Sequence, residues 1–215
     1  MWKGATENTT VVTDLLVNLR DRGLDVTRPI LCVLDGAKAL SAAVLAVFDR
    51  PVIQRCQLHK IRNVQAKLPS ALASTVATKM RAAYKDRDPL HAEATLEALA
   101  RSLDKTHPGA AGSLREGLAE TLSINRLGVP PTLARSLRST NPIESMIEIC
   151  RDHSTNVKRW QDGTMVLRWC AAGMTEAAKQ FRRVNGHLHL RALRVALDKH
   201  FEQAATSTRE TEEAA

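Results

Sequence analysis

The spacing of apolar positions changes period at Pro29. Before it, residues 7–22 place Val11, Leu15, Leu16 and Leu19 on one face at helical intervals, and Gly23 follows as a stop. After it, Ile30-Leu31-Cys32-Val33-Leu34 is an unbroken apolar run of strand length that ends on Asp35-Gly36. Ala37–Phe48 returns to a helical pattern rich in Ala, Leu and Val, and Pro51-Val52-Ile53-Gln54-Arg55-Cys56 reads as a second short buried strand. Helix–strand–helix–strand is a fragment of α/β architecture. Its two strands should run parallel, because a helix carries the chain back between them.

From Gln57 to about Leu127 only helical periodicity is found, broken at Pro69, at Asp88-Pro89 and at His107-Pro108-Gly109, and Pro130-Pro131 closes the stretch. A helix then opens in STNPIESMIEICRD (139–152), with Thr140 or Asn141 as cap and Pro142 in its first turn. Further helices are predicted from about Met165 to Arg183 and from Leu188 to Phe201. The expected organisation is a two-strand α/β portion over 1–56, an all-helical insertion over 57–130, C-terminal helices over 131–203 and a polar, disordered tail over 204–215. The whole is predominantly helical. A strand apolar on both faces needs neighbours, so two strands make an incomplete sheet. Either the chain lacks strands or another chain, a second copy or a partner, supplies them.

Composition narrows the class. No apolar run approaches a membrane span, and the opening MWKGATENTT lacks the order of a signal peptide, so the expectation is a cytoplasmic protein with no membrane partner. Four cysteines in 215 residues are too sparse for a disulfide scaffold, which leaves reduced thiols or a metal site. The net charge of +8 is unevenly placed: residues 51–91 carry 8 Lys and Arg against 2 Asp and Glu, and residues 129–200 carry 12 against 6. Basic blocks of this kind suit a polyanion, with DNA as the expected partner.

Why an apolar strand should end on a charge is the chemical question. Asp35 could merely cap the next helix, yet the C-terminal ends of strands are also where open α/β sheets bind ligands. Glu144, in the first turn of its helix, could complement the helix dipole or serve as a second hard oxygen ligand beside Asp35 for Mg²⁺ or Mn²⁺. Arg151 follows Glu144 by two helical turns and could meet a phosphate. Cys56 and His59 form a C-x2-H pattern that Cys150 and His153 repeat, so a Cys2His2 zinc site is an alternative use of these four. Candidate DNA contacts are Lys60, Arg62, Lys158, Arg159, Trp160, Arg182 and Arg183, with Trp160 available for stacking and Trp169 expected in the core.

DGAKAL after a strand, then QRCQLHKIRNV, a helical insert, STNPIES and VKRWQDG, in this order, resemble the Mutator-type DDE transposases of bacterial insertion sequences. The resemblance runs from about Trp2 to Leu193. It implies a partial RNase H-like fold interrupted by a helical insertion, and metal-dependent DNA strand cleavage and transfer at terminal inverted repeats. It makes Asp35 the second acidic residue of the triad, Glu144 the third, Arg151 the basic residue after the Glu, and Cys56 and His59 the family's C-x2-H. The first Asp of such a triad would end an earlier strand, but Asp14, Asp21 and Asp25 are the only acidic candidates with an Asp side chain before Asp35, and none is predicted to end one. The expectation is therefore the C-terminal portion of a transposase, inactive alone. Two other readings stay open: a non-catalytic remnant that binds DNA or transposase, and a zinc-stabilised helical module.

Overall fold

A computed structural model describes the backbone of residues 8–213 and side chains through Gln203; Trp2 and the side chains of the tail lie outside the described residues. Helix α1 (Thr9–Asp21) begins at Asn8, whose side chain accepts from Val11 N at 2.9 Å. Strand β1 (Ile30–Leu34), helix α2 (Lys38–Val47) and strand β2 (Pro51–Arg55) follow. The strands pair in parallel, in register from Ile30↔Pro51 to Leu34↔Arg55, as the crossover helix requires. They form a two-stranded sheet among the described residues.

Side chains alternate between two apolar layers. Ile30, Cys32, Leu34 and Ile53 pack with Val44, Val47 and Phe48 of the α2 region and with Leu16 and Val17 of α1. Leu31 and Val52 pack on the other side with Ile124, Leu127, Val129 and Leu197. Burial pushes the Cys32 thiol up to about 11, so it remains a protonated, inert packing group. All four cysteines are free thiols.

The region after β2 is wholly helical: α3 (Gln57–Gln65), α4 (Ser70–Ala83), α5 (Pro89–Leu103), α6 (Pro108–Arg115) and the short α7 (Leu118–Thr121) and α8 (Ser123–Arg126). Pro89 and Pro108 occupy first turns, where a missing N–H costs nothing. These helices bury a core of their own around Val64, Met80, Leu96, Leu114 and Leu122. Then come α9 (Pro131–Leu137), α10 (Asn141–Ser154), α11 (Gly163–Gln180), a 3-10 turn (His187–His189) and α12 (Leu190–Glu213). The backbone of α12 thus runs well past Phe201, where the apolar pattern ends. Helices α10 and α11 touch at Gly173, where a Cβ would stand 2.9 Å from Cys150 Cα.

A buried polar seam mounts the helical region on the sheet. Gln54, fully buried in β2, donates to Thr121 O at 2.9 Å and accepts from Ile124 N at 2.7 Å. Gln57 also donates to Thr121 O, at 2.9 Å, and Ser123 Oγ donates to Ile53 O at 2.7 Å. These bonds close the outer edge of β2. Beside them the Arg55 guanidinium reaches Glu116 O at 3.1 Å and the Glu116 carboxylate at 3.3 Å.

Lys60 joins the same seam, and this corrects its assignment as a DNA contact. Its side chain is fully buried; its ammonium donates to Ser113 O at 2.6 Å and to Glu116 O. Desolvation, reinforced by the nearby Arg55 charge, lowers its pKa to about 8. An amine held this way caps the C-terminal carbonyls of α6 and cannot reach a phosphate. Trp169 is a second correction: expected in the core, it lies on α11 with 37% of its surface exposed.

Candidate active site

The parallel register brings the two strand ends side by side. Cys56 N donates to Leu34 O at 2.6 Å, so Asp35, the next residue, emerges at the same edge as Cys56. The Asp35 carboxylate is half-buried and accepts from Ala37 N at 2.9 Å, a local turn contact that fixes it at the entrance to α2.

A second contact carries the α10 segment to this edge. Gln57 N, an unpaired donor at the start of α3, bonds Arg138 O at 2.9 Å. Two residues on, Thr140 is buried, and its backbone N–H donates to Cys56 Sγ at 3.4 Å. The Thr140 hydroxyl oxygen lies 3.4 Å from Cys56 Sγ and 3.3 Å from His59 Nδ1, and the hydroxyl donates to Glu144 Oε1. Glu144 Oε1 in turn stands 3.7 Å from His59 Nδ1. Potential ligand atoms of Cys56, His59 and Glu144 all fall within 4.8 Å of one another. Sulfur, imidazole nitrogen and carboxylate oxygen at this spacing form a donor set of the kind zinc accepts.

Cys150 and His153 stand outside that cluster. Cys150 packs against Gly173, and His153 Nδ1 meets Ile149 O at 2.8 Å on its own helix. The structure therefore corrects the pairing of the two C-x2-H patterns: Cys56 and His59 meet Glu144 instead. Asp35 is likewise not among the three clustered residues, though it shares their edge of the sheet. Arg62, Arg151, Lys158, Arg159 and Trp160 are exposed, the last three in the turn between α10 and α11. Arg182 and Arg183 are exposed in the segment after α11, which ends at Gln180. Asp14 and Asp21 sit on α1, and Asp25 is tied locally to Thr27 Oγ1 at 2.7 Å and Arg28 at 2.7 Å. None of these three ends a strand.

Sequence reasoning missed Thr140 as the hub of the cluster. The signal was present: a Thr next to a helix opening, four residues before an acid, can bond that acid across the first turn. It also missed Gln54 and Arg55, although two polar residues inside a strand read as buried demand partners.

Comparison with known proteins matches residues 1–184 to the family described as Transposase, Mutator family. The chain belongs to that family. Among relatives of this chain, the transposase for insertion sequence element IST2 of Acidithiobacillus ferrooxidans is 30% identical over 155 residues, 72% of this chain and 51% of that protein. The transposase for IS6120 of Mycolicibacterium smegmatis is 30% identical over 190 residues, 88% of this chain and 57% of that one. The transposase for ISRM5 of Rhizobium meliloti is 29% identical over 192 residues, 89% and 47% respectively. The chain spans about half the length of these curated relatives. No helix among the described residues is long and apolar enough to cross a membrane.

Proposed function

We propose that this Mutator-family chain acts on DNA at the ends of an insertion sequence by DDE-type strand cleavage and transfer, with Asp35 and Glu144 as two of the acidic residues. In this reading, residues 1–56 and 131–203 belong to an RNase H-like core and 57–130 is its helical insertion. The observation that carries it is the meeting of two sequence-distant segments at one sheet edge: Asp35 leaves β1 beside Cys56, and Cys56 touches Thr140, which holds Glu144.

Carboxylate oxygens are the ligands Mg²⁺ and Mn²⁺ take, so Asp35 and Glu144 fit such an ion by chemistry. When bound, such ions activate the attacking hydroxyl and stabilise the leaving oxygen in phosphoryl transfer. The residues themselves do the positioning. Thr140 fixes the Glu144 rotamer, and Glu144 keeps acceptor capacity beyond its bond to Thr140 because a carboxylate offers about four lone-pair sites. Arg151, exposed two turns along α10, is assigned to a DNA phosphate.

A second reading, a DNA-binding member without catalysis of its own, is favoured by one observation. Among the described residues, Glu144 clusters with Cys56 and His59, and Asp35 is not in that group. A nicking assay on a supercoiled plasmid carrying insertion-sequence ends, with Mg²⁺ or Mn²⁺, separates the two. Under the catalytic reading, Glu144→Gln lowers cleavage by about 100- to 1,000-fold, the scale of a lost electrostatic stabiliser, while DNA affinity is retained. DNA binding by the unmodified chain with no metal-dependent cleavage selects the second reading.

A further inference from the structure

One groove on the surface is lined by cations that no carboxylate answers. Its first part, about 300 Å³, lies between Arg81 and Lys85 on the α4 side and Arg135 and Arg138 on the α9 side, with Gln57 and Asn141 at its inner end. Its second part, about 570 Å³, shares Lys85, Arg135 and Arg138 and continues past Arg87 to Pro130 and Pro131. The inner end adjoins the candidate active site through chain neighbours: Gln57 follows Cys56, and Asn141 follows Thr140.

None of Arg81, Lys85, Arg87, Arg135 and Arg138 makes an ion pair among the described residues, whereas Arg101, Arg115 and Arg126 of the same helical region all do. Five like charges left unpaired on two facing walls repel one another, and an anion between them removes that cost. The one carboxylate in the groove, Asp86, is engaged on its own wall by His91 Nδ1 at 2.5 Å and Asp88 N at 2.9 Å. The aromatic residue that lines the groove, Tyr84, is 4% exposed and offers no face for stacking a base. The ligand chemistry is therefore a repeating anion recognised by charge and not by its bases.

We propose that this groove between α4 and α9 holds the sugar-phosphate backbone of one DNA strand and leads it to the Cys56–His59–Glu144 edge. This rests on the DNA-acting function above and adds to it the surface that receives the strand. Cations on both walls of one groove suit a single backbone. The contacts to phosphate make binding insensitive to sequence and steeply sensitive to salt.

The test is binding of a fluorescein-labelled, mixed-sequence single strand of about 30 nucleotides as salt is varied, which needs no cleavage. Lys85→Glu combined with Arg135→Glu should weaken binding at least about tenfold and reduce the salt slope by about 1.4, two phosphate contacts at about 0.7 each. Lys105→Glu, an exposed charge reversal outside the groove, should leave the slope unaltered. Lysine acetylation read by mass spectrometry should show Lys85 protected by the oligonucleotide and Lys105 unprotected. Equal slopes for the groove variant and the unmodified chain overturn the groove while leaving the DNA-acting function standing. An unmodified chain that binds no DNA overturns both.

Discussion

A single hydroxyl holds the candidate site together. Thr140 touches Cys56, His59 and Glu144 from one oxygen, in a position 9% exposed, so water cannot replace the bonds it makes. Thr140→Val keeps the shape and removes the hydroxyl. It should lower stability to urea by about 1–2 kcal/mol, the cost of leaving buried polar partners unmet, and Thr140→Ser should restore most of it. The neighbouring donors define a second test. Cobalt titrated into the reduced protein should give a thiolate absorption band at one equivalent that is lost in His59→Ala and kept in His153→Ala, because His153 lies outside the cluster. At this scale the sequence shows residue types but not meetings. C-x2-H and T-N-P-I-E are each legible, yet Thr140 and His59 are 81 positions apart, and nothing local announces that one bonds the other.

Between elements, the decisive contacts are polar and buried. The patterns of α2, β1 and β2 could be read from apolar runs stopped by Pro29, Gly36 and Pro51, and the parallel pair followed from the helix between the strands. The seam between β2–α3 and α6–α8 could not, because hydropathy assigns Lys60 to solvent. An ammonium enters the interior here only because two carbonyls at the end of α6 wait for it. Lys60→Met removes the charge but strands those carbonyls, and should cost about 1–3 kcal/mol in chemical denaturation. The pH profile should identify the cause. With the folded pKa near 8 and the ordinary value at 10.5, the unfolded chain binds more protons between them. The unmodified chain should therefore gain stability relative to Lys60→Met as pH rises from about 8 to about 10.5. The neutral amine still has two N–H donors for the two carbonyls.

At the scale of the whole molecule, the sheet formed by the described residues has one closed edge and one edge without a partner strand among them. The alternation of β1 turns the backbone groups of Ile30, Cys32 and Leu34 toward β2 and those of Leu31 and Val33 away, while the far side of β2 is closed by Ser123. A strand in this state is a template for another strand. Size-exclusion chromatography over a range of concentrations should show self-association, and Val33→Lys, which places a charge on β1, should reduce it. The two-stranded parallel sheet was legible from the apolar runs alone. The groove of unpaired cations was not, since Arg81 and Arg135 come from helices with unremarkable patterns and face one another only after folding. Gly36 and Gly117, both at positive φ, flank the Arg55 side chain, and a Cβ on either would come within 2.4 Å of its guanidinium. Three positions spread over 82 residues thus form a single key and slot. The helical insertion is consequently not an interchangeable module: a chimera that grafts a relative's insertion onto this sheet inherits a working joint only if a glycine arrives opposite Arg55.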